Sequence, residues 1–187
     1  MSVYLSLLIK WNARISLTAI RRPDEMVTRH FGESFFVGKH LWSAFSPNLM
    51  MDFGSGPGFP GLPCAILAPA CPVLLVESNN KKAAFLKEVI FALGLKNAQV
   101  FCGRAENYTG QVPDLVTMRA VEKFESSLPV ALRLLQPKGR IALMIGEAQV
   151  PVAQKIAENV AWQGPIAIPG GHSRVLLVGQ KHPNDSV

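Results

Sequence analysis

The stretch Met51-Asp52-Phe53-Gly54-Ser55-Gly56-Pro57-Gly58-Phe59-Pro60-Gly61 constrains this chain more than any other segment. A short apolar run ends beside an acid, four glycines and two prolines follow within residues 54–61, and an apolar pattern of helical spacing comes next. Glycines in that position permit left-handed backbone and let main-chain amides approach a ligand, which is how a strand end turns into a helix over a bound cofactor.

Downstream, short apolar runs alternate with helical patterns. Strands are expected at Leu49–Phe53, Val73–Val76 ending in Glu77, Ala98–Cys102, Asp114–Met118, Arg140–Ile145 and Arg174–Gly179. Helices are expected at Pro60–Ala68, from Asn79 or Asn80 to the stop at Gly94, over 121–135, and at Val152–Val160, with a short turn or helix around Arg104–Tyr108. This alternation predicts a mainly parallel sheet covered on both faces, an α/β fold. The irregular stretch Trp162–Gly171 before the last strand predicts antiparallel pairing at that edge. Residues 1–47 break the alternation and read as a helical extension, with an opening helix and a long helix over Pro23–Leu41, so 48–187 is expected to form one ligand-binding unit.

Two ligands compete for the glycine loop. Residues 56–61 match GxGxxG, and Glu77 lies about 20 residues on, where a ribose-binding acid belongs in a dinucleotide fold. Pro57 and Pro60 occupy variable positions of that pattern, and the glycine nearest the strand end is Gly54, so the fingerprint starts late. The alternative unit, Asp52 to Gly58, places a carboxylate with the glycines. It suits a cationic cofactor such as S-adenosyl-L-methionine, with Asp52, Gly54 and Gly56 at the loop and Glu77 on the ribose hydroxyls.

With 187 residues, one domain is the default. The net charge of +6 points to a polyanionic partner, although the basic residues are dispersed. Cys64, Cys71 and Cys102 have no metal or disulfide spacing and read as small core residues, and no metal is expected. The apolar patch Val3–Ile9 is too short for a membrane span and lacks a cleavage site, which predicts a cytoplasmic protein. His30, His40, His172 and His182 are scattered and read as structural or surface residues.

On these residues the chain resembles the RsmG, or glucose-inhibited division protein B, family. Trp11-Asn12 with Leu17-Thr18, Glu25-Met26 with Arg29-His30, the loop from Asp52 to Pro63, Lys81-Lys82 with Phe85-Leu86, Arg104-Ala105-Glu106 and Arg119-Ala120 fall in family order. The resemblance implies a Rossmann-like methyltransferase fold with an N-terminal helical extension. It implies methyl transfer from S-adenosyl-L-methionine to guanine N7 of small-subunit (16S) ribosomal RNA, within the small ribosomal subunit; the sequence leaves the oligomeric state open, a monomer being favoured. Gly54 and Phe59 would contact the cofactor, Ala105 and Glu106 its adenine side, and Arg119 both the cofactor and the incoming guanine. The chain departs from the family at Ser16, Met118 and Ile145 and is short before Trp11.

Guanine N7 carries its own lone pair, so the reaction needs alignment and no general base, which agrees with the lack of an acid–base dyad in the sequence. Arg119 is the candidate catalytic residue; its bland alternative is a salt bridge to Glu106 or Asp52. Lys81, Lys82 and Arg174 are candidate RNA contacts, a solvated helix face being the alternative for the two lysines. The rival functions are methyl transfer to another substrate, nicotinamide redox chemistry, and an RNA-binding ribosome-assembly factor without turnover.

Overall fold

Runs of four and five residues, apolar except for Asp52 and Glu77 and buried along their whole length, Met50–Phe53 (β1) and Val73–Glu77 (β2), form the middle of a sheet covered on both faces. The computed structural model describes residues 1–171 and 173–183, so His172 lies outside the described residues. β3 (Ala98–Cys102), β4 (Leu115–Arg119) and β5 (Arg140–Gly146) complete a parallel set in the spatial order 3-2-1-4-5. β8 (Arg174–Lys181) runs antiparallel beside β5, as the sequence suggested.

β8 is not the edge, however. β6 (Val160–Trp162) and β7 (Ile166–Ala167) pair antiparallel with its far side, where the sequence suggested a helix end and an irregular stretch. Gly179 explains the hairpin: a Cβ there would lie 2.3 Å from Val160 and 2.6 Å from Trp162, so only glycine lets those side chains pack against β8.

One face of the sheet carries α1 (Ser2–Asn12), α2 (Pro23–Met26), α3 (Glu33–Ala44), α4 (Gly61–Leu67) and α5 (Asn80–Leu93). The other carries α6 (Phe124–Leu134) and α7 (Val150–Ile156), the latter ending before the expected Val160. The long helix expected over Pro23–Leu41 is continuous from α2 to α3 but widens to π-helical turns over Val27–Gly32. The α5 boundaries follow its caps. The Asn79 side chain accepts from the amides of Lys81 and Lys82, and Gly94 closes the helix in the left-handed conformation. Lys181 donates its ammonium to the carbonyls of Leu132 and Leu135, tying the last strand to the end of α6.

The boundary near residue 47 is a change of secondary structure, not a gap between cores. Tyr4, Leu8, Met26, Phe31 and Val37 share one cluster with Met50, Leu62, Leu75, Phe85 and Leu86. Cys64 and Cys71 are buried as expected, whereas Cys102 is exposed, because it ends the edge strand β3. Leu8 is fully buried, so Leu8→Ala is expected to cost about 2–5 kcal/mol. The loss should appear in one urea transition common to circular dichroism and tryptophan fluorescence. Two separate transitions would mean that the extension folds by itself.

Candidate active site

β1 and β4 are spatial neighbours although two strands and two helices separate them in the chain, so the topology reverses between them and a crevice opens at their C-terminal ends. A cavity of about 740 Å³ lies there. Four of the five parallel strands send their following loops into it: Gly54–Pro57 after β1, Glu77–Asn79 after β2, Gly103–Glu106 after β3 and Arg119–Lys123 after β4. Leu17, Thr18, Ala19 and His30 close it from the helical extension.

The loop glycines divide by role. Gly54 and Gly56 have φ of +68° and +54° and line the cavity. A Cβ on Gly54 would meet only Val121 at 3.4 Å, so the space beside it is open to a ligand. Gly58 and Gly61 serve packing. A Cβ on Gly58 would lie 2.6 Å from both Leu62 and the Tyr4 hydroxyl, and one on Gly61 would lie 2.4 Å from Leu75.

Glu77 sits at the end of β2 with its carboxylate anchored: Oε2 accepts from the Gly56 amide at 2.9 Å and Oε1 from the Asn79 amide at 2.7 Å. Each oxygen keeps a second lone pair for a ligand hydroxyl. Ala105 and Glu106 lie across the cavity on a 3-10 turn, Ala105 buried and Glu106 exposed. The structure thus brings together Gly54, Gly56, Glu77, Ala105, Glu106 and Arg119.

Asp52 is a correction. Its carboxylate does not line the cavity but lies behind the loop, accepting from Thr117 Oγ1 at 2.8 Å and from the Gly61 amide at 3.1 Å. It shapes the loop and joins β1 to β4, and no ligand cation reaches it in this geometry. Burial pushes its carboxyl up to about 6, against the bonds from Thr117 and Gly61, which lower it.

Phe59 lines the cavity, but both ring faces are covered. Tyr4 stacks on one at 5.2 Å and His30 on the other at 4.8 Å. The Tyr4 hydroxyl also donates to the Pro57 carbonyl at 2.5 Å. His30 shares a 2.8 Å hydrogen bond with Thr18, whose amide in turn donates to the Asn12 side chain at 3.0 Å. Burial, together with the charges of Arg119, Arg29 and Arg174, lowers the His30 imidazole to about 3, so it is neutral at neutral pH.

Arg119 is paired neither with Glu106 nor with Asp52. It donates to the Arg29 carbonyl at 2.7 Å, to Glu33 at 3.1 Å and to Ser34 at 3.4 Å, which binds the end of β4 to the helical extension. Burial and the like charges of Arg174 and Arg29 lower the guanidinium to about 10 while Glu33 holds it up, leaving it charged. Arg174, expected on the RNA side, pairs with the other oxygen of the same Glu33. The reason is that β8 lies beside β5, which brings its first residue under α3. Of the two lysines, Lys82 lines the cavity, whereas Lys81 is exposed and lines neither this cavity nor the smaller one beside it.

Tyr4 and Glu33 are the site residues that sequence reasoning passed over. Their signal was weak. Glu33 read as one acid among the charges of the extension, and Tyr4 as part of an apolar helix.

The family model described as GidB, rRNA small subunit methyltransferase G, matches residues 1–164. The chain is 40% identical over 186 residues to the ribosomal RNA small subunit methyltransferase G of Stenotrophomonas maltophilia (strain K279a), covering 96% of this chain and 81% of the relative. It is 38% identical over 184 residues to the protein of the same description from Xanthomonas campestris pv. campestris (strain B100), with the same coverage. Among solved structures it resembles a mutant of MtNAS in complex with S-adenosylmethionine (TM-score 0.69, 17% identity, 97% of this chain and 76% of that one). It also resembles an O-methyltransferase family protein from Burkholderia thailandensis (TM-score 0.68, 15% identity, 87% of this chain and 59% of that one). The sheet is therefore a Rossmann-like methyltransferase fold.

The buried Asp52 carboxyl has a consequence for pH. Its native value lies above that of the unfolded chain, so the native state binds the extra proton, and stability falls as pH rises through about 6. Asp52→Asn should remove that fall. The wild-type minus variant unfolding free energy should decrease between about pH 4 and 7, at about 1.4 kcal/mol per pH unit at most. A difference that increases over this range would mean that Asp52 is held as a paired anion.

Proposed function

The chain belongs to the rRNA small subunit methyltransferase G family, and from that membership we propose that it methylates guanine N7 in 16S ribosomal RNA with S-adenosyl-L-methionine. The observation that carries the reading is the cavity at the β1/β4 crevice. It has left-handed glycines with open space beside Gly54, an anchored acid at the end of β2 and a polar turn after β3. These residues fit the cofactor. Gly54 and Gly56 would let main chain approach it, Glu77 would accept from its ribose hydroxyls, and Ala105 and Glu106 would bound its adenine. When bound, the cofactor supplies an electrophilic methyl group on sulfur.

What the protein must add is alignment of a nucleophile that already carries a lone pair. The cavity matches that requirement. Its histidine is neutral, stacked on Phe59 and bonded to Thr18, a positioning role and not that of a proton shuttle. Arg119 organises the wall that the substrate meets. Lys82, Arg104 and Lys123 line the same cavity and supply positive charge for RNA phosphate. The substrate form we favour is RNA within the small ribosomal subunit, acted on by a monomer in the cytoplasm. No helix among the described residues is long and apolar enough to cross a membrane.

The test is transfer of labelled methyl to small subunits lacking their methylations, beside naked RNA, with the labelled nucleoside identified. N7-methylguanosine is the expected product, and label in any other nucleoside, or in protein, overturns the reading. Transfer to RNA should also fall steeply with salt. Gly54→Val, which crowds Val121 from a left-handed position, is expected to weaken cofactor binding at least about tenfold; an unchanged dissociation constant would remove Gly54 from the cofactor wall. Arg119→Ala is expected to abolish transfer and to lower the melting temperature as well, because it releases Glu33 and the Arg29 carbonyl. Full activity would remove Arg119 from the site.

A further inference from the structure

A second, smaller cavity of about 180 Å³ adjoins the first, the two sharing the wall Arg119-Ala120-Val121. It has room for one flat ring system. Phe124, Met144, Ile145 and Ile168 give it apolar sides, and its polar side chains are Glu33, Arg119, Arg174 and Gln149. The shared wall is held in an unusual conformation. Ala120 in that wall has φ of +49° and Lys123, just beyond it, +52°, the kind of local strain that accumulates at functional sites.

An aromatic side and a charged polar end are what a base swung out of its stack requires, since such bases are held by stacking and read along the Watson–Crick edge. The carboxylate within that polar end decides which base fits. Guanine presents two donors on that edge, ring N1–H and the exocyclic N2–H, and a carboxylate accepts both. Adenine presents a lone pair at N1, which a carboxylate repels. On guanine, N7 lies on the edge opposite these donors. Glu33 lines only the smaller cavity, whose wall Arg119-Ala120-Val121 also bounds the cofactor cavity, so a guanine held there lies next to the cofactor.

We propose that this second cavity receives the target guanine and that Glu33 selects it by accepting from N1–H and N2–H. Glu33 is 2% exposed, held by Arg119 on one oxygen and Arg174 on the other. The Arg174 side chain is the more exposed of the two guanidiniums, at 23% against 10%, and it is the partner that yields: it passes from Glu33 to RNA phosphate as the base enters. Arg119 stays on Glu33 and keeps the carboxylate charged and oriented. The proposal rests on the guanine-N7 reading above and names the acceptor subsite of that activity.

The experiment uses the full chain and a subunit or RNA substrate whose target guanosine is replaced by inosine, which keeps N1–H and N7 but lacks the N2 amino group. Wild-type protein should prefer guanosine by roughly tenfold or more in kcat/KM, as loss of a hydrogen bond to a charged acceptor implies. In Glu33→Gln the preference should shrink to about twofold or less, with cofactor affinity unchanged. The same ratio is read without turnover from binding of guanosine 5′-monophosphate against inosine 5′-monophosphate. Arg174→Ala is expected to raise KM and flatten the salt dependence while keeping the guanosine preference. Equal use of guanosine and inosine by the wild type overturns the proposal even if Glu33→Gln does not fold, as does an undiminished preference in a folded Glu33→Gln. Absence of N7-methylguanosine with the natural substrate instead overturns the activity itself, so the two failures are told apart.

Discussion

Arg119 donates to the Arg29 carbonyl and to Glu33, so the last residue of β4 is bonded to a helical segment 86 to 90 positions earlier in the chain. A buried ion pair of this kind is weak support for stability in itself, because removing two charges from water is costly. Breaking it by deleting one partner costs more, since the other charge is left without a counterion. Glu33 therefore needs its guanidiniums, and the π-helical turns over Val27–Gly32 are held where the Arg29 carbonyl meets the end of β4 and the His30 ring meets Phe59 of the glycine loop. The wall of the cavity is assembled by electrostatics that reach across the whole chain.

The loop after β1 is fixed from two sides. From below, the Asp52 carboxylate accepts from Gly61 and from Thr117, joining loop, helix and neighbouring strand. From above, Tyr4 and His30 enclose the Phe59 ring, and Tyr4 holds the Pro57 carbonyl. Between these restraints only Gly54 and Gly56 remain turned to open space. An acid beside a glycine-rich loop invites a reading as a ligand contact; here its work is to hold the loop in shape.

What was legible in the sequence follows from locality. Buried parallel strands, the Asn79 cap, the Gly94 stop and the alternation itself are decided by residues close in the chain, and they stand where the sequence placed them. Residues whose partners are distant were harder to read. Asp52 was assigned to the ligand because its partner Thr117 lies 65 positions away. The pairing of Arg174 with Glu33 spans 141 positions, and no local pattern in the sequence signals it. The two short strands at 160–162 and 166–167 carry too few residues to show a period, and Gly179, which makes room for them, signals nothing by itself.

The placement of β8 has a consequence for the order in which the chain takes shape. It is the last of the eight strands among the described residues, yet it lies inside the sheet, between β5 and the β6–β7 edge. As the polypeptide emerges from a ribosome, the strands that surround the glycine loop are complete long before residue 174 appears. β5 meanwhile presents an unpaired apolar edge, the kind of surface on which nascent chains associate wrongly. Lys181, which closes the end of α6, arrives later still. During synthesis the strands that carry the cofactor crevice are thus complete while the far edge of the sheet is still open.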